Sequence, residues 1–211
     1  MKNTIIVHQG DLPDDVFFNG SVAIDTEAMG LIHARDRLCV VQLFSGNDAD
    51  PIHLVQIPNT HKHQAPNLVK LLQDKSIIKI FHYARFDVSI LMYTFNIGIQ
   101  NIFCTKIASR LCRTYTGNHS LKDLCKDFVG IELSKEEQTS DWGSENLTNL
   151  QQQYAAKDVL YLHKIKSALQ LMLKRENRVE MAKSCFDFLP TRAKLDHLAG
   201  DQFDIFSHKS T

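Results

Sequence analysis

No apolar run in this 211-residue chain approaches the ~20 residues that a membrane span needs. The N-terminal stretch MKNTIIVHQGDLPDD is too short in apolar residues for a signal peptide and is soon followed by acids. The sequence therefore predicts a protein of the cytoplasm with no membrane partner. Its five cysteines, Cys39, Cys104, Cys112, Cys125 and Cys185, are odd in number and contain no CxxC pair. That argues against a disulfide framework and against a zinc site, and leaves reduced, mostly buried thiols. Formal net charge is zero. A long electrostatic track along nucleic acid usually needs a basic surplus, so a small substrate with few phosphates fits better. No repeat, low-complexity stretch or Pro/Gly/Ser-rich linker divides the chain.

What is present reads as one globular α/β domain, 44% apolar and 23% charged. The pattern predicts strands at Ser21–Asp25, Leu38–Phe44, Ile52–Gln56, Ser76–His82 and Asn101–Cys104. The second and third form a hairpin across the turn-like SGNDADP. Helices are predicted over Ala65–Gln73, Ala84–Phe95, Thr105–Leu111, Leu121–Val129 and, as one long element, Thr148–Arg175. Thr148 and Gln151 have the spacing of a capping box. After Arg178 the pattern is less regular, and Pro190 is expected to interrupt any helix there. A hairpin followed by alternating helix and strand implies a mixed five-stranded sheet in a three-layer α/β fold.

The chemistry-bearing residues are acids. Asp25 and Glu27 close the first predicted strand and share a face. Alone they fit a solvated strand end as well as a pair of ligands for a hard divalent cation. Tyr154 and Asp158 lie one helical turn apart in YAAKD, and Asp87 lies in the first turn of a helix, where an acid is ordinary dipole chemistry. Each segment is flanked by strongly apolar residues. Four carboxylates anchored at the edge of one core would be costly without cations.

Taken together these motifs resemble the DEDD exonucleases, in the tyrosine-bearing branch that contains RNase D. AIDTEAMGL resembles the first family motif, FHYARFD the second and YAAKD the third. LKDLCKDFVGIELSKEEQTSDW resembles the stretch before the third. The likeness runs from Val22 to Lys166. It is most extensive with the small RNase D-like nano-RNases of alphaproteobacteria, the nano-RNase C proteins, through CTKIASRLCRTYT, SDWG and FLPTRAKLD. Where relatives often place an acid before Thr105, this chain has Cys104, which is given no metal role.

The resemblance implies an RNase H-like fold and two divalent cations, Mg²⁺ or Mn²⁺, per active site. Asp25, Glu27 and Asp158 would hold the first, and Asp25 and Asp87 the second. Tyr154 would orient or help deprotonate the attacking water. The implied reaction is 3′-to-5′ removal of nucleoside 5′-monophosphates from very short single-stranded RNA such as dinucleotides. The implied assembly is a homo-oligomeric ring of eight. Residues 1–175 would form the exonuclease domain, and residues 176–211 an extension packing on it or on a neighbouring subunit. Thr26 and Phe86 lie inside the first two motifs as candidate substrate contacts. Leu31 is a candidate wedge between two bases, against an ordinary buried leucine. His82 is a candidate contact to the 3′-terminal sugar, against a core histidine. Lys106 and Arg110, with Arg113, could hold a 5′ phosphate or form a solvated face. The His61-Lys62-His63 cluster reads as loop. The competing readings are an exonuclease acting on longer RNA or DNA, a catalytically dead adaptor, and an RNase H-type endonuclease.

Overall fold

A computed structural model of the chain describes residues 3–32, 35–60, 64–133 and 140–199. Six strands, not five, form a single mixed sheet: β1 (Ile5–Gln9), β2 (Ser21–Ala28), β3 (Leu38–Phe44), β4 (Ile52–Gln56), β5 (Ile78–Phe81) and β6 (Ile102–Cys104). They lie in the order β1-β4-β3-β2-β5-β6. The strand the sequence does not reveal is β1. It is short, sits at the sheet edge beside β4, and has no fully buried residue, so it lacks the apolar signature that marks its neighbours. The hairpin is present: β2/β3 and β3/β4 pair antiparallel, whereas β1/β4, β2/β5 and β5/β6 pair parallel.

The helices are α1 (Pro66–Gln73), α2 (Ala84–Phe95), α3 (Thr105–Cys112), α4 (Leu121–Val129), α5 (Asn149–Leu160), α6 (Leu162–Arg175) and α7 (Val179–Ala199). The predicted helix Thr148–Arg175 is two helices, broken at Tyr161, whose backbone turns to φ −105°, ψ −4°. The capping box at Thr148 is formed in both directions: Gln151 N–H donates to Thr148 Oγ1 at 3.2 Å, and Thr148 N–H to Gln151 Oε1 at 2.8 Å. Pro190 does not stop α7. A proline inside a helix removes one hydrogen bond and crowds the preceding turn. Here packing outweighs that: Phe186, Leu189 and Ala193 are buried, and each fully buried large apolar side chain contributes about 1.5–3 kcal/mol. Phe186 meets Phe103 of β6 with ring centroids 4.9 Å apart, and Asp196 accepts both Nε–H and Nη2–H of Arg85 on α2 at 2.8 Å.

Two layers of helix flank the sheet, and β2 shows how they share it. Successive strand residues point to opposite faces. Asp25 reaches Asp158 of α5 on one face, while Thr26 bonds Asp87 of α2 on the other. β3 and β4 are buried along their whole length, as central strands covered on both sides require. No helix among the described residues is long and apolar enough to cross a membrane.

Candidate active site

Four acids collect around the end of β2. One oxygen from each of Asp25, Glu27 and Asp158 lies within 4.8 Å of the others. The strand's two-residue period aims the first two the same way, and a bulge between Glu27 and Ala28 ends the regular pairing just beyond them. Asp87 arrives from the first turn of α2, which follows β5 through Tyr83 in a left-handed conformation (φ 66°, ψ 44°). A non-glycine residue held there costs energy and commonly marks a functional site. Asp87 is only 3% exposed and accepts a hydrogen bond from Thr26 Oγ1 at 2.7 Å. Asp158 accepts a hydrogen bond from the Tyr154 hydroxyl, one turn back on α5.

These carboxylates are strained by their own company. Burial, then the charges of Asp25, Asp158 and Asp87, pushes Glu27 up to about 10. Burial raises Asp25 to about 7, against a backbone hydrogen bond from Thr26 that favours its charge. Burial and the charge of Asp25 likewise raise Asp87 and Asp158. Tyr154 is raised by burial and by the same acids, so its phenol keeps its proton. Asp87 is buried and Asp25, Glu27 and Asp158 are half-buried, and acids so close that they cannot all ionise together are a set waiting for positive charge. Hard oxygen donors converging within a few ångströms suit Mg²⁺ or Mn²⁺, and the residues therefore fit the cations that the motifs imply.

The loop ahead of α5 closes one side. Arg37 Nη2–H donates to Gly143 O at 3.1 Å, Gln56 Nε2–H to Ser144 O at 2.7 Å and Gln151 Nε2–H to Asp141 O at 3.0 Å. Buried Trp142 is thereby set against Tyr154, with centroids 6.1 Å apart.

A family model described as 3′-5′ exonuclease matches residues 11–174. The chain belongs to the 3′-5′ exonuclease family. A structure of Brucella melitensis NrnC bound to pGG is 48% identical, with 98% of this chain and 100% of that one covered and a TM-score of 0.92. The same Brucella protein with bound Mg²⁺ is 48% identical over the same shares, at a TM-score of 0.90. Ribonuclease D of Gluconacetobacter diazotrophicus is 31% identical over 163 residues, which is 77% of this chain and 40% of that protein. The chain thus spans about two-fifths of the length of such ribonuclease D relatives. The fold is the RNase H-like one that the resemblance implies.

The secondary candidates of the exonuclease fall in different environments. Leu31 is 73% exposed on the loop after β2, so it is not a buried leucine. That loop is pinned by Asp36, which accepts from Ile32 N–H at 3.0 Å. A Cβ at Gly30 would collide with the Asp36 carboxylate, so any larger residue there would have to displace that acid from Ile32 N–H. His82 is half-buried. Thr105 Oγ1 donates to Phe81 O at 3.1 Å, so His82 Nδ1–H donates to Thr105 at 2.9 Å and Nε2 is left as an acceptor. Burial and nearby Lys106 hold His82 neutral, near 3. Lys106 Nζ lies 4.5 Å from the centre of the Tyr83 ring, and Arg110 is exposed one turn on. Phe86 is half-buried against the core. Arg113 departs from its expected face: it is buried and pairs with Asp127, with Nη1–H also donating to Asn118 O at 3.0 Å. Cys104 is fully buried. The His61-Lys62-His63 cluster and residues 134–139 lie outside the described residues.

Sequence reasoning passed over Gln42. It is the single polar side chain in the otherwise apolar strand LCVVQLF, and that interruption was the available signal.

Proposed function

We propose that this exonuclease hydrolyses very short RNA, dinucleotides included, from the 3′ end to nucleoside 5′-monophosphates, with two Mg²⁺ or Mn²⁺ ions at the acidic cluster. The observation that carries this reading is the convergence of Asp25, Glu27 and Asp158 within 4.8 Å, with Asp87 in their electrostatic field. The likeness to an NrnC structure holding pGG across the full length of both chains supports a short substrate.

Asp25, Glu27 and Asp158 would hold one cation, and Asp25 and Asp87 the other. When bound, the cations supply Lewis-acid charge that activates water and neutralises the phosphate and the departing 3′ oxygen. The protein's own share is positioning. Tyr154, protonated and tied to Asp158, offers its oxygen to orient the attacking water. Trp142 behind it restricts where the phenol swings. Water oxygen bonds to phosphorus, the bond from phosphorus to O3′ breaks, and a proton passes to O3′. A 5′-monophosphate leaves from an RNA shortened by one residue. Exposed Leu31 would wedge between the two bases, and neutral His82 would accept a hydrogen bond at the terminal sugar. Phe86 would line that side, and Lys106 and Arg110 would supply positive charge for a 5′ phosphate, whereas Thr26 is buried with its hydroxyl on Asp87 and would act through that acid rather than on substrate. Residues 1–175 are the catalytic unit in this reading, residues 176–211 its packing extension, and eight 24.1 kDa copies its assembly.

The test is cleavage of 5′-labelled RNA of two, three, seven and twenty nucleotides, with Mn²⁺ or EDTA, by wild type and Asp25→Ala. Fastest loss of the dinucleotide, with metal and wild type only, supports the proposal. Equal trimming of long RNA or DNA would move the substrate to the broader reading, and mass photometry reports the assembly.

A further inference from the structure

Gln42 faces Asp25 directly across the β2/β3 ladder, and on its other side it faces Leu54 of β4. Residues opposite one another in an antiparallel pair share a sheet face, with Cβ atoms about 4.5–5.5 Å apart. Gln42 therefore lies on the face that carries Asp25 and Glu27, beneath α5. Its side chain is completely buried, and neither Oε1 nor Nε2 has a hydrogen-bond partner among the described residues. A carboxamide brings two donors and an acceptor. Native cores leave few such groups unmade, and each one calls for a reason.

Two of the other three acids indicate what that reason is. Asp87 takes a hydrogen bond from Thr26 Oγ1, and Asp158 takes one from Tyr154. Asp25, which would bridge both cations, has the backbone N–H of Thr26 and no side-chain donor among the described residues. Its neighbour across the ladder is an unused amide. Ligating carboxylates are regularly held by such outer partners, which fix the oxygen that faces the cation.

We propose that Gln42 is the positioning residue for Asp25: its Nε2–H donates, directly or through one buried water, to the Asp25 carboxylate when a cation is bound. The proposal rests on the cation reading of the acidic cluster. Removing a merely leftover polar residue would leave cation binding unchanged, whereas removing a positioning one weakens it. Gln42→Met keeps the volume and deletes the unmade polar atoms, and Gln42→Leu is a second apolar replacement.

The experiment titrates Mn²⁺ into substrate-free wild type, Gln42→Met and Gln42→Leu, followed by electron paramagnetic resonance. Each protein is also melted in EDTA. The expected result is a metal-free Tm at or above wild type in both variants, with Mn²⁺ dissociation constants raised about 10- to 100-fold. Unchanged Mn²⁺ affinity in the variants overturns the proposal and leaves the cation reading standing. A lowered metal-free Tm in both variants also overturns it, because Gln42 would then be structural. Wild type that binds no Mn²⁺ overturns both readings together.

Discussion

Glu27→Gln should make the metal-free protein more stable at high pH than wild type while removing its response to cations. In the folded chain burial and three neighbouring acids hold the Glu27 proton up to about 10, whereas the unfolded chain releases it near 4.5. Between those values the unfolded state binds fewer protons, so stability is greatest below 4.5 and falls as pH rises toward 10. One such group changes stability by about 1.4 kcal/mol per pH unit, or about 4 kcal/mol from pH 5 to pH 8. Relaxation of the site and shared protons among the four acids reduce this to about 2 kcal/mol. A neutral amide removes that slope. For a chain of this size the gain at pH 8 corresponds to a Tm about 4–8 °C above wild type, with little difference at pH 5. The assay is thermal unfolding in EDTA at both pH values, repeated with Mn²⁺. With Mn²⁺ the order should reverse, because only wild type gains binding energy. A variant that melts below wild type at pH 8 in EDTA, or by the same margin at both pH values, refutes the reasoning.

Other outcomes follow from single contacts. Tyr154→Phe removes the hydroxyl proposed to orient the attacking water, so kcat should fall by about a hundredfold or more with KM little changed, measured by steady-state dinucleotide hydrolysis. Leu31→Ala removes an exposed side chain and should leave stability within about 0.5 kcal/mol while raising KM for dinucleotides, checked by melting and kinetics side by side. Thr26→Val deletes the 2.7 Å hydrogen bond to buried Asp87 and should cost about 1–3 kcal/mol by urea unfolding in EDTA. Stability equal to wild type would show that Asp87 finds another partner.

Strands and helices with complete apolar signatures were legible. β3, β4, α2 and α4 have their predicted bounds because each carries its own buried pattern. β1 was not, because an edge strand buries too little to show a period. The break at Tyr161 was hidden because the apolar face runs from Val159 to Leu162 and Ile165 without interruption. Pro190 misled for the opposite reason: a strong local rule was outweighed by packing against α2 and β6, which no local window contains. At the site, the acids could be picked out by motif, and the structure shows Asp25, Glu27 and Asp158 converging. Arg113 was misread, since helical spacing cannot tell a solvated cation from one turned inward to Asp127. Gln42 was overlooked because one glutamine in a strand becomes meaningful only when the ladder sets it opposite Asp25.

The central claim is that the acidic cluster drives stepwise hydrolysis from the 3′ end of short RNA. The most direct measurement is a time course on a 5′-labelled seven-nucleotide RNA, with Mg²⁺ and with EDTA, for wild type and Asp25→Ala. The account predicts a ladder that shortens one nucleotide at a time to the labelled mononucleotide, and no change with EDTA or the variant. Internal fragments appearing before the ladder, or a ladder that survives EDTA, would contradict it.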